Sequence, residues 1–427
     1  FGDNYNWTYN GFLTVRDSLL LFNLRDIWGR AWDDWTIHLD QMDVRDNCVS
    51  VADADFPDNR QWNPQTDPNQ ADELTPFLPT QADTVGIGII GSGGIGRHYI
   101  NIFKKVKGAR VVAAADVNPQ ALEEASKLEP ALTCFRNHED LLRLKEVDAV
   151  AVCTPNKLHY QPTLDALATG RPVIVEKPMA MNARDAAGMC AAARKAKRLL
   201  MIGFQWRFTP AAQFLRQAVA RGDLGKILYV RCQALRRRGI PSWGVFGRKD
   251  LQGGGPMIDI GVHILEMAHY VIGRPQPTAA DGSCFTYLGN KPPAARCAWG
   301  AWDHKTYTVE DLAVGFLRFD TGTRLTIESS FAAHIEKDVW NVQIMGDKGG
   351  AVLDPPTLFK DEAGYMFNNT PSFLGTVDGF EYKLQHFIDS LTKGVACDAP
   401  GEDGLMVQKM LDSIYASSEA GKPVSIR

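Results

Sequence analysis

The sequence predicts an α/β protein with a doubly wound parallel sheet first and a second, mostly antiparallel sheet after it. Short apolar runs alternate with helix-compatible segments between residues 84 and 204, which is typical of a parallel sheet covered by helices. A glycine-rich turn follows the first apolar run. Beyond residue 206, strand-like segments are joined by short polar turns, which indicates antiparallel pairing.

Composition limits the class of protein. The chain has 427 residues, a formal net charge of −4 and 45% hydrophobic residues, which favours a globular protein of two or three domains. The near-balanced charge argues against nucleic-acid or anionic-membrane partners, and no apolar run approaches the roughly 20 residues of a membrane span. The eight cysteines contain no C-x-x-C pair, so we expect no metal site and no disulfide framework.

Residues 1–82 form an atypical extension and linker. They contain no lysine, hold five of the ten tryptophans and carry a net charge of −9. Residues 12–24 can form a short amphipathic element, and residues 57–79 have the composition of a linker. The segment is either an arm that packs on a partner subunit or an upstream extension. Because no export signal is visible, we expect a cytoplasmic protein.

The first predicted strand, residues 85–90, is an apolar run suited to burial on both faces. It leads into Gly91-Ser92-Gly93-Gly94-Ile95-Gly96 and then into a predicted helix over residues 97–107. In a G-x-G-x-x-G turn the first glycine permits a tight bend, the second admits a pyrophosphate and the third lets the helix pack on the strand. The helix start offers free N–H groups to the phosphates. The pattern predicts a dinucleotide site.

The second predicted strand, residues 109–115, ends at Asp116, twenty residues after Gly96. A carboxylate here can accept hydrogen bonds from the adenosine ribose hydroxyls. It would also repel a 2′-phosphate, and no arginine follows in Val117-Asn118-Pro119. We therefore predict NAD as the cofactor rather than NADP.

The alternation continues with predicted strands at residues 147–153, 171–175 and 199–204 and predicted helices at residues 140–145, 159–168 and 183–197. Two of these strands end in polar motifs, Thr154-Pro155-Asn156 and Glu176-Lys177-Pro178. Ligands of doubly wound sheets bind beyond the carboxyl ends of the strands. We therefore expect both motifs to meet the glycine turn in one crevice.

The second half has predicted strands at residues 227–235, 311–319, 324–331, 340–345 and 351–354, and predicted helices at residues 256–272 and 404–420. In the first of these helices Asp259 and His263 are four residues apart and share a face. A histidine beside a carboxylate can accept a proton near neutral pH. A purely structural pair is the alternative.

Lys177 adds a third reacting group, because its strand end faces the predicted nicotinamide pocket. Dehydrogenation of an alcohol needs a base for the hydroxyl proton and a cation near the developing negative oxygen. We predict His263 as the base and Lys177 as the cation, with Asp259 orienting them or completing the proton path. A surface ion pair with Glu176 is the alternative role for Lys177.

Together these motifs resemble the glucose–fructose oxidoreductase, inositol dehydrogenase and MocA family (Gfo/Idh/MocA). The likeness runs from about residue 84 to residue 427 and includes Thr154-Pro-Asn-Lys-Leu-His159 and the Asp259-x-x-x-His263 helix. It implies a Rossmann domain over residues 83–205 and an α/β domain over residues 206–427, whose open sheet commonly forms homodimers or homotetramers.

The same resemblance assigns roles to individual residues. It implies Lys177, Asp259 and His263 as the catalytic group, with Asn156 and Glu176 near the nicotinamide. The predicted cofactor-binding set also includes the motif residues Gly91, Gly93, Gly94, Ile95, Gly96, Asp116, Thr154, His159 and Lys177. Residues 1–82 have no counterpart in the family pattern.

Candidate substrate contacts are less specific. The segment Arg236-Arg-Arg-Gly-Ile-Pro-Ser-Trp243 precedes the glycine run at residues 253–255 and should overhang the pocket. Trp243 can stack on a pyranose face, and Arg236 can bind hydroxyls or a carboxylate, although residues 236–238 can also be a solvated charge run. Arg207 is either a substrate contact or part of an ion pair that joins the domains.

The leading hypothesis is an NAD-dependent oxidoreductase that oxidises a ring hydroxyl of a sugar, sugar derivative or cyclitol. A second hypothesis keeps NAD bound and recycled while a glycoside is oxidised transiently and eliminates its aglycone. A third is a non-catalytic cofactor-binding regulator, against which the presence of Lys177, Asp259 and His263 argues.

Overall fold

The computed structural model describes residues 10–15, 18–23 and 84–426. The chain divides into two units, Phe1–Leu74 and Thr75–Arg427. In the first unit, strands β1 (Asn10–Val15) and β2 (Ser18–Asn23) pair antiparallel, in the region where the sequence predicts a short amphipathic element. The linker predicted over residues 57–79 lies outside the described residues.

The second unit begins with the predicted parallel sheet. Its six strands, in the order β5-β4-β3-β6-β7-β8, pair in parallel throughout. The strands are β3 (Val85–Ile90), β4 (Ala109–Ala115), β5 (Thr133–Phe135), β6 (Ala149–Val152), β7 (Val173–Val175) and β8 (Leu200–Ile202). The helices between them are α1 (Gly94–Phe103), α2 (Pro119–Leu128), α3 (His138–Leu141), α4 (Tyr160–Ala168) and α5 (Ala183–Ala196). The strand order reverses between β3 and β6, where ligands of such sheets bind.

A nine-stranded sheet follows, in the order β16-β15-β14-β13-β9-β12-β11-β10-β17. Only β9 and β12 pair in parallel within it, so the sheet is mostly antiparallel as predicted. Its strands are β9 (Ile227–Leu235), β10 (Pro277–Phe285), β11 (Leu312–Phe319), β12 (Arg324–Ser330), β13 (Val339–Gly346), β14 (Gly349–Val352), β15 (Thr357–Glu362), β16 (Tyr365–Asn369) and β17 (Val424–Ser425). Its helices are α6 (Pro210–Ala220), α7 (Lys249–Gln252), α8 (Val262–Val271), α9 (Gly379–Thr392) and α10 (Gly401–Ala420).

The helix predicted over residues 256–272 is interrupted. A π-helical turn at Met257–Gly261 comes first, and the α-helix α8 starts only at Val262. π-Turns inside helices are frequent at functional sites because the extra residue redirects side chains. Asp259 lies within this turn and His263 lies in the first turn of α8, so an ideal α-helical spacing does not relate them.

The large sheet has one buried and one open face. Along β13, Val342 and Ile344 are buried while Met345 is exposed. Val314 on β11 and Phe359 on β15 are also exposed apolar residues. Among the described residues, none of the helices combines the length and apolar character that crossing a bilayer demands.

Candidate active site

The glycine turn has the geometry that a dinucleotide requires. Gly91 has a φ of +92°, and a Cβ there would lie 2.7 Å from the backbone nitrogen of Thr154. A Cβ at Gly96 would lie 1.9 Å from the carbonyl oxygen of Gly91, so α1 packs tightly on the turn. By contrast, a Cβ at Gly93 or Gly94 would meet nothing within 4 Å. The outer side of the turn is therefore open for a pyrophosphate, whereas Ile95 packs against the core.

Asp116 lies beside this turn. Its Oδ2 accepts a hydrogen bond from the backbone N–H of Ser92 at 2.7 Å, and its Oδ1 accepts one from the backbone N–H of Asn118 at 2.8 Å. Both bonds fix the carboxylate at the carboxyl end of β4, next to the first turn of α1. The position is compatible with a contact to a ribose, and the residues present suit a nicotinamide dinucleotide.

The motif after β6 is braced within the protein. Asn156 donates from Nδ2 to the carbonyl oxygen of Gln252 at 3.0 Å, which ties the first domain to α7. The Thr154 hydroxyl donates to the carbonyl oxygen of Leu158 at 2.9 Å. His159 is buried, and its two ring nitrogens lie 2.8 Å from the carbonyl oxygens of Pro178 and Thr154. His159 thus holds the two polar motifs together, a different role from the direct cofactor contact that the sequence predicts.

Lys177 and Asp259 contact each other across the two domains. The Lys177 Nζ lies 3.1 Å from Asp259 Oδ1 and donates to the Asp259 carbonyl oxygen at 3.0 Å. Lys177 follows β7, whereas Asp259 belongs to the π-turn before α8. Both side chains are largely shielded from solvent. A shielded ammonium held in this way can stabilise negative charge on a nearby oxygen.

His263 is a buried imidazole. It is 8% exposed, and burial holds its pKa well below the usual value, with the positive charges of Lys177, Lys383 and Arg236 acting in the same direction. Its Nδ1 is enclosed and has no hydrogen-bond partner within the part of the chain that the structure describes. An imidazole that burial and these three cations keep unprotonated can accept a proton from a substrate hydroxyl.

Two tryptophans that sequence reasoning missed form a wall against this histidine. The ring centroids of Trp206 and Trp340 lie 6.4 and 6.5 Å from that of His263 and 5.1 Å from each other. Trp340 and the buried Val342 are two residues apart on β13, so both side chains face the helix-covered side of the sheet. Its indole Nε1 is enclosed without a hydrogen-bond partner among the described residues. The sequence signal for Trp206 is its position four residues beyond the carboxyl end of β8, since ligands of such sheets bind beyond the carboxyl ends of the strands.

Arg236 is half-buried, and its Nη1 donates to the carbonyl oxygen of Gly239 at 3.0 Å. Its charge acts on His263, and its guanidinium carbon is 4.4 Å from the centroid of the Trp299 ring. Trp299 stacks in turn on Trp243, with centroids 5.4 Å apart and planes 8° from parallel. Trp243 is 57% exposed. Arg236 therefore lies close enough to act on His263, whereas Trp243 is linked to Arg236 only through Trp299.

Arg207 is not placed as a substrate contact. It is 1% exposed, and its guanidinium lies 2.8 Å from a Glu266 oxygen and 2.6 Å from an Asp403 oxygen. The rings of Phe204 and Tyr270 cover its guanidinium. The ion-pair alternative therefore describes Arg207, and its assignment as a substrate contact is corrected, because every polar edge of the side chain is directed into the protein.

Glu176 also points inward. Its side chain is 6% exposed, and its Oε1 accepts hydrogen bonds from the Tyr99 hydroxyl and from Lys383 Nζ. Glu176 therefore lies beneath Lys177, and its carboxylate supports the strand end from inside. Lys383, on α9, was not predicted from the sequence.

Comparison with known proteins identifies the family of this chain. Residues 85–204 match the NAD-binding Rossmann-fold model of the Gfo/Idh/MocA oxidoreductase family, and residues 216–426 match the model of its C-terminal alpha/beta domain. The chain is 34% identical over 342 residues to D-glucoside 3-dehydrogenase of Escherichia coli strain K12, which covers 80% of this chain and 97% of that protein. It is 26% identical over 349 residues to inositol 2-dehydrogenase of Serratia proteamaculans, with 80% and 96% covered.

Solved structures show the same fold. Aldose-aldose oxidoreductase from Caulobacter crescentus, complexed with glycerol, superposes with a TM-score of 0.68 at 25% identity over 80% of this chain and 99% of that one. Levoglucosan dehydrogenase in complex with NADH and L-sorbose gives a TM-score of 0.71 at 21% identity, over 81% and 99%. Because both family models match and the Escherichia coli relative is covered almost completely, the chain belongs to the Gfo/Idh/MocA family of oxidoreductases.

Proposed function

We propose that this protein is an NAD-dependent dehydrogenase that oxidises a ring hydroxyl of a sugar, a sugar derivative or a cyclitol. The observation that carries the proposal is the 3.1 Å contact between Lys177, just beyond the carboxyl end of β7, and Asp259 in the π-turn. Nearby, burial lowers the pKa of His263, and the charge of Lys177 acts in the same direction. Bound NAD would supply the acceptor for the hydride.

Each side chain has one task in this reaction. His263 accepts the hydroxyl proton, because its depressed pKa leaves it unprotonated near neutral pH. Lys177 donates to the substrate oxygen as negative charge develops there. Asp259 holds the Lys177 ammonium through the 3.1 Å contact. The hydroxyl proton thus goes to the imidazole, and bound NAD would take the hydride from the same carbinol.

The cofactor preference rests on Asp116. Its carboxylate is fixed by two backbone N–H groups beside the glycine turn, where it can accept from ribose hydroxyls and repel a 2′-phosphate. NAD is therefore the proposed cofactor, and NADP a poorer one.

The substrate class rests on the groups around His263. Trp206 and Trp340 offer apolar ring surface beside His263, and Arg236 offers a donor for hydroxyls. Trp243 can cover a more distant part of the substrate. The names of two relatives, a glucoside 3-dehydrogenase and an inositol 2-dehydrogenase, support a cyclic polyol.

We also propose that the open sheet face joins copies of this chain. Exposed Val314, Met345 and Phe359 lie on strands of one sheet, and apolar side chains on a sheet face suit a symmetric homodimer.

A screen of sugars and cyclitols tests the function, with NADH absorbance followed in the presence of NAD and of NADP in parallel. We expect NADH formation with at least one cyclic polyol, and its loss in Lys177→Met. Lys393→Met, which removes an exposed lysine paired with Asp389, is the control and should behave as wild type. Release of free sugar from a glycoside without net NADH would instead support internal recycling of NAD, and absence of any turnover would contradict the proposal.

A further inference from the structure

A lysine of the second domain is buried beneath the catalytic lysine of the first. Lys383, on α9, is 0% exposed. Its Nζ donates to Glu176 Oε1 at 2.8 Å, directly beyond β7, and to the carbonyl oxygen of Gly203 at 3.2 Å, directly beyond β8. The ring centroids of Tyr99 and Phe380 lie 4.8 and 4.3 Å from the same Nζ. A cation this deeply enclosed needs its anionic partner.

The partner carboxylate sits in a cradle built for it. The Tyr99 hydroxyl donates to Glu176 Oε1, and a Cβ at Gly203 would lie 2.7 Å from that oxygen, so a larger residue there would displace it. Burial raises the pKa of Glu176, but the Lys383 charge and the hydrogen bonds outweigh burial and lower it overall. Glu176 is therefore a carboxylate that Lys383, Tyr99 and the backbone at Gly203 hold in place.

This carboxylate also holds the backbone of the catalytic lysine. Glu176 Oε2 accepts a hydrogen bond from the backbone N–H of Lys177 at 3.2 Å, and the Lys177 side chain then reaches Asp259. One carboxylate thus connects Lys383 to the backbone of Lys177, and the side chain of Lys177 leads from there to the ammonium at Asp259. Without Lys383, the buried Glu176 charge would lack compensation, and the carboxylate would be protonated or would turn away.

We infer that Lys383 is a positioning residue for Lys177: it keeps Glu176 fixed beneath the strand end, so that the Lys177 ammonium stays at Asp259. The inference rests on the proposed function only where turnover is measured, because the position of the Lys177 backbone can be measured without any substrate.

The test compares Lys383→Met, the charge-balanced pair Glu176→Gln/Lys383→Met and the control Lys393→Met. Native-state hydrogen exchange reports the Lys177 amide, and steady-state kinetics report kcat and KM for the polyol found in the screen. In Lys383→Met we expect exchange at Lys177 to rise about tenfold or more, with no change at the glycine turn. We expect kcat to fall about tenfold or more with KM within about threefold, because misplacement of a catalytic group acts on the chemical step.

The double variant should recover most of both losses, since a glutamine oxygen can still accept from the Lys177 N–H and no buried charge remains. The inference would be overturned if the Lys177 amide exchanged at the same rate in Lys383→Met as in the wild type. It would also be overturned if that amide exchanged as fast in the double variant as in Lys383→Met. If Lys383→Met does not fold, Tyr99→Phe, which removes one donor to Glu176, should raise Lys177 exchange about threefold; no rise would overturn the inference. A wild-type protein without turnover would refute the proposed function alone.

Discussion

Arg207→Met separates a structural role for this arginine from the substrate contact that the sequence also allowed. The change removes the guanidinium partner of Glu266, which is fully buried, and one of the two guanidinium partners of Asp403. Removing one partner of a buried ion pair costs about 3–5 kcal/mol. For a domain of this size we expect Tm to fall on the order of 10 °C.

The loss should depend on pH in a defined direction. In the native protein, burial raises the pKa of Glu266 to about 7, although Arg207 opposes the rise. Without Arg207 that pKa rises further, so the folded state holds a proton that the unfolded state releases. The extra destabilisation therefore grows as pH increases above about 7, at roughly 1.4 kcal/mol per pH unit until the new pKa is passed.

Urea unfolding of wild type and Arg207→Met at pH 6.5 and 8.5 measures this difference, and substrate KM is measured below the unfolding transition. We expect a larger stability gap at the higher pH and a KM within about twofold of wild type. A KM raised more than about tenfold, with stability unchanged, would refute the reasoning and return Arg207 to the substrate.

Three further predictions test the site. In Asp116→Ser, the ratio of kcat/KM with NADP to that with NAD should rise about tenfold or more, because a charge that repels the 2′-phosphate is gone; an unchanged ratio would show that the carboxylate does not face the ribose. The acidic limb of kcat/KM for oxidation should lie below pH 6.5, since burial and three cations depress the pKa of His263, and Arg236→Gln should move that limb upward; a wild-type limb above 6.5 would contradict this. Trp340→Ala removes one of the two rings beside His263, so kcat/KM for the polyol should fall roughly two- to tenfold with NAD affinity unchanged, and equal loss of NAD affinity would count against a substrate contact.

Local sequence patterns predict the elements whose structure depends only on neighbouring residues. Strands β3 and β4 have the predicted bounds because each is an apolar run closed by a glycine or an aspartate. The glycine turn follows from the steric demands of a single loop. By contrast, β5 has only three residues, two of them exposed, so no apolar pattern marks it.

The rest depends on tertiary contacts that no sequence period encodes. Lysine is almost never fully buried unless it is paired, so nothing in α9 marks Lys383 as an interior residue before Glu176 is placed against it. The π-turn before α8 has no distinct sequence pattern, so the sequence predicts one continuous helix over residues 256–272. His159 and Arg207 lie in motifs near the site, but only the coordinates show that their polar atoms bind the protein itself.

The most direct test of the account measures turnover and NAD affinity together in His263→Ala, with His138→Ala, which removes a histidine paired with Asp165, as the control. Loss of a general base lowers the rate by about 10²–10⁴-fold, whereas the glycine turn and Asp116 are untouched. The account predicts that loss of turnover with a Kd for NAD within about twofold of wild type. Retained turnover, or equal loss of both quantities, would contradict the assignment of His263 as the base.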